Sequence, residues 1–238
     1  MNASNINKAT DIQQMFTAIA DKYDLLNRLL SFGRDRAWRK FAVSQCGLTP
    51  RGLALDVATG TGEMALLLAQ RYSESKIVGV DFSPDMMAQA RAKLATFPGS
   101  ERVQLVVGDA LRLPFPDNTF DCATIGFALR NVSDIVSAFR EMARVVKVGD
   151  RVVSLELTRP SSRLVRTIYY FYIFQIASRI GGLISGKKEA YTYLPHSILE
   201  FPPPEEVKRI MEGAGLEKVE TYRLTFGAAT VHVGIKQG

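Results

Sequence analysis

Residues 55–63, with the sequence Leu-Asp-Val-Ala-Thr-Gly-Thr-Gly-Glu, decide the fold. An apolar strand runs into a turn rich in glycine, and the residues after the turn have the spacing of a helix. Glycine at Gly60 and Gly62 permits a tight turn and lets a ligand approach the backbone closely. This order predicts the first strand–turn–helix unit of a parallel sheet, with a ligand site at the turn.

Strands and helices alternate outward from this turn. Five strands are predicted near residues 53–57, 76–80, 103–107, 122–126 and 150–156, with helices at 63–71, 84–94 and 134–144 between them. Such alternation is typical of a doubly wound α/β fold with helices on both faces of a parallel sheet. A helix at 204–214 and strands at 216–223 and 230–236 predict a closing antiparallel hairpin. We therefore expect a Rossmann-like, seven-stranded, mostly parallel sheet in a single domain spanning residues 1–238.

Two segments interrupt the alternation. Residues 1–48 have helical periodicity, with Asp21 and Ser31 as candidate caps, and predict a helical appendage before the first strand. Residues 160–200 contain an aromatic, apolar stretch and predict an inserted helical segment. Its uninterrupted apolar run, residues 168–174, is far shorter than the roughly 20 residues that span a bilayer, so we expect no transmembrane helix.

The composition limits the class of protein. A chain of 238 residues that is 47% hydrophobic can bury one sizeable core. Its net charge of +6 attracts nucleic acid, anionic lipid or an anionic substrate without choosing among them. Cys46 and Cys122 lack the spacing of a metal site or a redox pair, which predicts no metal and a reduced, cytoplasmic setting. The N-terminal residues show no signal-peptide pattern, so we expect no export.

The ligand of the glycine turn is read from the strand ends that follow it. The turn satisfies a loose dinucleotide pattern and leaves a nicotinamide cofactor and S-adenosylmethionine (SAM) both open. Asp81, 19 positions after Gly62, suits the hydroxyls of an adenosine ribose in either case. An acidic residue and a short side chain after the third strand, Asp109 and Ala110, resemble the adenine-contacting element of class I methyltransferases. Asp56 holds either the loop or the ammonium group of SAM, and the latter is preferred. The predicted cofactor-binding set is Asp56, Ala58, Gly60, Thr61, Gly62, Asp81, Phe82, Asp109, Ala110 and Gly126.

The alternative is that these residues are only structural, with Asp56 and Asp81 capping helices and the glycines serving a tight turn. Three loops in register at one sheet edge argue against that interpretation.

Several ordered segments carry a more specific resemblance, which covers almost the whole chain. They are Lys-Tyr-Asp-Leu-Leu-Asn at 22–27 with Ser-Phe-Gly at 31–33 and Trp-Arg-Lys at 38–40, Phe-Ala-Leu-Arg-Asn-Val at 127–132, and Tyr-Leu-Pro-His-Ser-Ile at 193–198. With them the chain resembles the ubiquinone/menaquinone biosynthesis C-methyltransferase family. The resemblance puts Thr61, Asp81, Asp109 and Ala110 at the family's SAM-binding positions. A further family contact falls on Gly126, which offers only backbone.

The resemblance implies methylation of a ring carbon of a prenylated quinol, demethylmenaquinol or its 2-polyprenyl-6-methoxybenzoquinol counterpart. A phenol-like hydroxyl has a pKa of about 10, so near neutral pH the quinol needs a base, or a cation that stabilises the phenolate. Arg130 and Asn131 follow the fourth strand and are the first candidates to orient the quinol oxygen. His196 is either the base or a structural histidine, and Tyr23 either donates to the ring oxygen or packs by its ring. Trp38 and the aromatic residues at 169–174 line either a channel for the isoprenoid tail or a core.

Three further interpretations stay open at this stage. Exposed aromatic surface between Arg163, Arg166 and Arg179 would rest on an anionic membrane as a peripheral contact. A nicotinamide-dependent reductase and a non-catalytic scaffold subunit of quinone synthesis are the competing functions. A nucleic-acid methyltransferase ranks last because the chain has no Asn-Pro-Pro-Tyr motif and no concentrated basic stripe, so no nucleic-acid partner is expected. The oligomeric state, a homodimer included, is open.

Overall fold

The computed structural model describes residues 23–177 and 188–238, except the side chains of residues 23, 176, 177 and 188–193. Within these ranges, seven strands form one sheet. The strands are β1 (Leu53–Val57), β2 (Lys76–Asp81), β3 (Val103–Val107), β4 (Phe120–Gly126), β5 (Val146–Leu157), β6 (Leu216–Leu224) and β7 (Ala229–Lys236). The α-helices are α1 (Tyr23–Leu30), α2 (Arg34–Ser44), α3 (Glu63–Arg71), α4 (Pro84–Leu94), α5 (Ile135–Val145), α6 (Arg163–Phe171), α7 (Lys188–Glu200) and α8 (Pro204–Gly213).

The strand order is β3-β2-β1-β4-β5-β7-β6. Strands β1 to β5 are parallel, whereas β7 runs antiparallel to both β5 and β6. The predicted doubly wound, mostly parallel sheet with a closing antiparallel pair is confirmed. The order reverses between β1 and β4, and ligands of such sheets bind at the carboxyl ends of the strands at that reversal.

Strand β5 begins earlier than the sequence predicts. The predicted strand covers residues 150–156, but Val146 already pairs with Phe120 of β4. A bulge separates this pair from the regular register that starts at Cys122 and Arg151. The early pairing is accompanied by an ion pair between Lys147 Nζ and Asp121 Oδ1, 2.6 Å apart.

The core has one apolar layer on each face of the sheet. Alternate residues of a strand face opposite sides, so Val152 packs with the side chains of α5 and α8, including Phe139 and Met211. On the other face Val153 packs with those of α2 and α3. Helix α4 begins with Ser83 as its N-cap, whose side chain accepts the N–H of Met86, followed by proline at the first position.

The two predicted helical segments lie beside the carboxyl edge of the sheet. Helices α1 and α2 are joined by a turn in which the Ser31 hydroxyl accepts the N–H of Asp35 at 3.1 Å, whereas the predicted cap Asp21 lies outside the described residues. Helix α6 continues into a π-helix at Tyr172–Ala177, and α7 follows. None of the helices in the described ranges is long and apolar enough to cross a membrane.

Candidate active site

The carboxyl ends of β1, β2, β3 and β4 come together beside the reversal of strand order. Asp56 lies in β1, Asp81 ends β2, Asp109 follows β3, and Gly126 ends β4. The parallel registers pair Val57 with residues of both β2 and β4, so these ends are level with one another. The structure therefore brings the predicted cofactor residues to one edge.

Asp81 ties the glycine loop to β2. Its carboxylate is 6% exposed, and its two oxygens accept the N–H groups of Gly60 at 2.7 Å and Ser83 at 2.9 Å. Burial raises the pKa of Asp81 above its ordinary value, while these backbone hydrogen bonds oppose the rise. Each carboxylate oxygen can accept more than one hydrogen bond, so capacity remains for a ligand hydroxyl. The N-cap of α4 is Ser83, so Asp81 does not itself cap that helix.

Asp56 of β1 holds the glycine loop through a hydrogen bond with Thr59. It is 1% exposed, and its oxygens accept the hydroxyls of Thr59 at 2.6 Å and Thr124 at 2.9 Å. Burial raises the pKa of Asp56 to about 6, although both hydroxyls and the charge of Arg39 act in the opposite direction. Of the two predicted roles, the observed contacts are those of the loop-holding one. The role in binding an ammonium group stays a prediction.

The glycine loop is held in the left-handed backbone region at three positions. Ala58 (φ 51°), Gly60 (φ 56°) and Gly62 (φ 83°) all have positive φ. Such a conformation is uncommon for alanine and strained relative to the usual regions. A Cβ at Gly62 would also lie 3.2 Å from the Cβ of Ala90 in α4. The loop therefore requires glycine at Gly62, both for its backbone and for its contact with α4.

Helix α1 reaches over this loop through a polar network that the sequence reasoning missed. The hydroxyl of Thr61 donates to Asp24 at 2.7 Å, and Lys93 of α4 forms ion pairs with Asp24 and with Glu63, the latter at 2.8 Å. Asp24 stands in the Lys-Tyr-Asp-Leu-Leu-Asn segment, which was the available signal. Its neighbour Tyr23 starts α1, but the side chain of Tyr23 lies outside the described part, so its role stays a prediction.

The β2–β3 side of the edge is open. Asp109 is exposed, and its Oδ1 accepts the N–H of Leu111 at 2.9 Å; Ala110 is half-buried, and Phe82 is 42% exposed. An apolar ring and a free carboxylate oxygen here suit a flat heterocycle with donor groups. On the other side, a Cβ at Gly126 would lie 3.1 Å from Met64 Cγ, which leaves only backbone at this position.

A second, mostly apolar pocket adjoins the end of β4. Its lining is given by Asn27, Leu30, Ser31, Asp35, Trp38, Phe127, Arg130, Leu157, Tyr169, Tyr172, Ile173 and Leu194. Trp38 packs edge to face on Phe127 and donates its indole N–H to Thr225 at 2.8 Å. The hydroxyl of Tyr172 donates to the carbonyl of Leu30 at 2.9 Å, which closes one wall against α1.

Arg130 is the buried cation in the lining of this pocket. Its guanidinium donates to the carboxylate of Glu156 and to the carbonyl of Phe127 at 2.8 Å. Glu156 also accepts the N–H groups of Arg130 at 3.2 Å and Leu157 at 2.8 Å, and the two side chains are only 6% and 3% exposed. Arg130 is one of the predicted site residues, whereas Glu156 is not, because it lies 26 positions away along the chain and gave no local signal. Asn131, in the same turn, is half-buried and does not line the pocket.

Two other predicted groups, Tyr169 and His196, lie in different surroundings. Tyr169, predicted to line either a tail channel or a core, lines the pocket, and its buried hydroxyl has no hydrogen-bond partner in the part of the chain that the structure describes. Burial raises the pKa of Tyr169, and the nearby charge of Arg130 opposes that rise. His196 is exposed, packs edge to face on Phe174 with ring centroids 5.9 Å apart, and does not line the pocket. The base role predicted for His196 gains no support from this position and stays a prediction.

The sheet order, the antiparallel β7 and the glycine loop are those of the class I methyltransferase fold. In agreement, a SAM-dependent methyltransferase from Thermotoga maritima superposes with a TM-score of 0.65 at 22% identity, over 94% of this chain and 99% of that one. Residues 3–236 match the model of the ubiE/COQ5 methyltransferase family, and the chain belongs to that family.

Two curated relatives share this match over almost their whole length. The ubiquinone/menaquinone biosynthesis C-methyltransferase UbiE of Geotalea uraniireducens is 46% identical over 96% of this chain and 97% of its own. The demethylmenaquinone methyltransferase of Roseiflexus castenholzii is 45% identical over 97% of this chain and 95% of its own. The family resemblance seen in the sequence is confirmed. The competing predictions of a nicotinamide-dependent reductase and of a scaffold subunit receive no support.

Proposed function

We propose that this protein transfers the methyl group of SAM to a ring carbon of a prenylated quinol, with demethylmenaquinol as the principal acceptor. The benzoquinol counterpart, 2-polyprenyl-6-methoxybenzoquinol, is the second candidate acceptor. The main observation in support is the apolar pocket that adjoins the end of β4 and includes the buried Arg130 in its lining. The names of the two relatives, a ubiquinone/menaquinone biosynthesis C-methyltransferase and a demethylmenaquinone methyltransferase, support the same chemistry.

The residues at the sheet edge fit SAM. Asp81 retains acceptor capacity for ribose hydroxyls, while Phe82 and Asp109 are exposed beside it for the adenine. Gly60 has no atom within 4 Å of a Cβ built on it, so the loop leaves space above its backbone. When bound, SAM supplies an electrophilic methyl group on a sulfonium.

The pocket supplies the polar groups that a quinol needs. A quinol becomes nucleophilic at carbon when a hydroxyl loses its proton, and a cation near that oxygen favours the phenolate. Arg130 is that cation, and its bonds to Glu156 and Phe127 fix the guanidinium. The buried hydroxyl of Tyr169 lines the same pocket and donates to a ring oxygen. Trp38 and Tyr172 form apolar walls that exclude water from the reacting carbon.

Helix α6 supports a membrane contact for the prenyl tail. Its inner side carries the buried hydroxyl of Tyr169, whereas Leu164, Ile168 and Phe171, spaced four and three residues apart, are 73%, 62% and 63% exposed. This spacing places the three side chains on one helical face. Phe32, 77% exposed, extends the apolar surface through its ring contact with Tyr172 of the pocket wall. We propose that this surface rests on an anionic bilayer, so that a membrane-resident quinol enters the pocket directly.

Anaerobic incubation with methyl-labelled SAM tests the function. Reduced demethylmenaquinone and the reduced benzoquinone analogue are tested as acceptors in separate reactions, and the mass of each product is measured by mass spectrometry. We expect label on the ring of the naphthoquinol and no label when the quinone is left oxidised. Transfer to neither quinol by protein that binds SAM would refute the proposed acceptor class.

Co-sedimentation with anionic liposomes tests the membrane contact. We expect wild-type protein in the pellet and an Ile168→Glu variant in the supernatant, because the charge interrupts the exposed apolar face. The control is Val148→Glu, which adds the same charge at an exposed apolar side chain away from α6 and is expected to leave the protein in the pellet. Wild-type protein that stays in the supernatant, with or without quinol lipid, contradicts the contact.

A further inference from the structure

Arg39 of α2 is a deeply buried cation beside the glycine loop. It is 5% exposed, and its guanidinium stacks on the ring of Phe127 at 4.7 Å. A Cβ added to Gly126 would lie 3.7 Å from its Nη1, so the side chain reaches the end of β4. Arg39 therefore stands at the β1–β4 reversal of the sheet, where ligands of this fold bind.

The charge of Arg39 is incompletely neutralised. Within the described ranges, the one carboxylate in ion-pair distance belongs to Asp35, with 4.0 Å between Nε and Oδ2. Asp35 also accepts the hydroxyl of Ser31 at 2.9 Å. The Nε of Arg39 is fully buried and has no hydrogen-bond partner in the part of the chain that the structure describes. A buried charge with an unmet donor is costly, and a buried cation is normally paired.

The other nearby carboxylates are already engaged. The positive charge of Arg39 acts to lower the pKa values of two further carboxylates, Asp56 and Glu63. However, the oxygens of Asp56 accept two threonine hydroxyls, and Glu63 pairs with Lys93 at 2.8 Å. Among the described side chains, Arg39 thus keeps donor capacity that an anionic group of a ligand can meet.

The position of Arg39 selects which ligand group that is. The adenosine residues Asp81 and Asp109 belong to the β2–β3 side of the edge, so the remainder of SAM extends across the β1 loop toward β4 and Arg39. The carboxylate is the anionic group of SAM. Arg39 does not line the apolar pocket, where Arg130 is the cation. We propose that Arg39 binds the α-carboxylate of SAM; this inference rests on the proposed use of SAM.

Helix α2 consequently serves two ligands from adjacent residues. Trp38 lines the apolar pocket, and Arg39 stacks on Phe127 with its guanidinium beside Gly126 at the end of β4. A guanidinium offers several N–H donors in a fixed plane and pairs with a carboxylate through two of them, which a lysine cannot reproduce.

Calorimetric titration of the full chain with SAM and with decarboxylated SAM tests the proposal. A charge-assisted hydrogen bond is worth enough that wild-type protein is expected to bind SAM on the order of 10–100-fold more tightly than the decarboxylated compound. In Arg39→Met this preference falls to within about threefold, mainly through weaker binding of SAM. The exposed neighbour provides the matched control: Lys40→Met keeps the wild-type preference. Arg39→Lys gives an intermediate preference and serves where the Met variant does not fold.

The outcomes separate this inference from the proposed function. Equal affinity of wild-type protein for both compounds, or an Arg39 variant that weakens both equally, overturns the carboxylate contact alone. Wild-type protein that binds SAM with the expected preference but methylates no quinol overturns the acceptor and leaves the contact standing. Wild-type protein that binds no SAM overturns both.

Discussion

Replacement of Glu156 by glutamine tests how much the buried ion pair of Arg130 and Glu156 stabilises the fold. The carboxylate of Glu156 accepts three N–H groups: one from the guanidinium of Arg130, one from its backbone, and one from Leu157. A glutamine amide has one oxygen, so its NH2 group must face at least one of these donors. The substitution therefore removes the negative charge beside a buried cation and adds a contact between two donors.

The expected loss of stability follows from the burial of the pair. Arg130 and Glu156 are 6% and 3% exposed, and breaking a buried pair by removing one partner typically costs about 3–5 kcal/mol. The carbonyl of Phe127 still accepts one N–H of Arg130, so we expect the lower end, about 3 kcal/mol. For a chain of this size that loss lowers Tm by roughly 6–12 °C.

Urea unfolding followed by circular dichroism measures this loss. Glu74→Gln is the matched control because its pair with Arg51 is 3.8 Å long and largely exposed, and we expect a change below about 0.5 kcal/mol. Adding Arg130→Met to Glu156→Gln removes both charges and recovers part of the stability. A Glu156→Gln variant within about 1 kcal/mol of wild type, or strictly additive effects in the double variant, would refute the reasoning.

Three other outcomes follow from single residues. Asp81→Asn puts an NH2 group against either the loop N–H or a ribose hydroxyl, so calorimetry should show SAM binding weakened about 10–100-fold; an unchanged Kd would remove Asp81 from the cofactor site. Burial lowers the pKa of His232 from 6.5 to about 4, so its neutral form is favoured in the fold and stability is lost as pH falls through that window. His232→Gln should therefore gain about 3 kcal/mol relative to wild type between pH 7 and pH 4 in urea titrations, and parallel pH profiles would contradict this. Gly62→Ala should lose about 1–2 kcal/mol because of its positive φ and its contact with Ala90, whereas Gly213→Ala, in open space, should lose nothing; equal urea midpoints for the two would argue against a required glycine.

The sheet was predictable because its signals are local. Strand β1 is an apolar run, and all but its first residue is buried. The turn that follows requires glycine at Gly62, where an added side chain would crowd α4. Strand periodicity and turn residues act over a few positions, so the order of elements was predictable from them. The start of β5 was missed because its pairing with Phe120 depends on a bulge, a property of two strands together.

The polar contacts of the site were not predictable in the same way. Glu156 meets Arg130 across 26 positions, and Asp24 meets Thr61 across 37. Neither pair has a local pattern, because the meeting of these side chains depends on how separate elements pack. The hydroxyl of Tyr169 is a similar case. The aromatic run predicted either a tail channel or a core, and the burial of this hydroxyl without a partner among the described residues depends on how α6 packs near the end of β4.

The helices that precede β1 bind the two halves of the site together. Asp24 of α1 accepts the hydroxyl of Thr61 in the cofactor loop, while Leu30 at the end of the same helix accepts the hydroxyl of Tyr172 in the pocket wall. Helix α2 has a similar arrangement, with Trp38 in the pocket and Arg39 against Phe127 and Gly126 at the end of β4. These contacts connect the cofactor loop to the apolar walls through two packed helices. Coupling between two binding sites is reciprocal, so any factor by which the cofactor changes binding in the pocket is also the factor by which a pocket ligand changes cofactor binding.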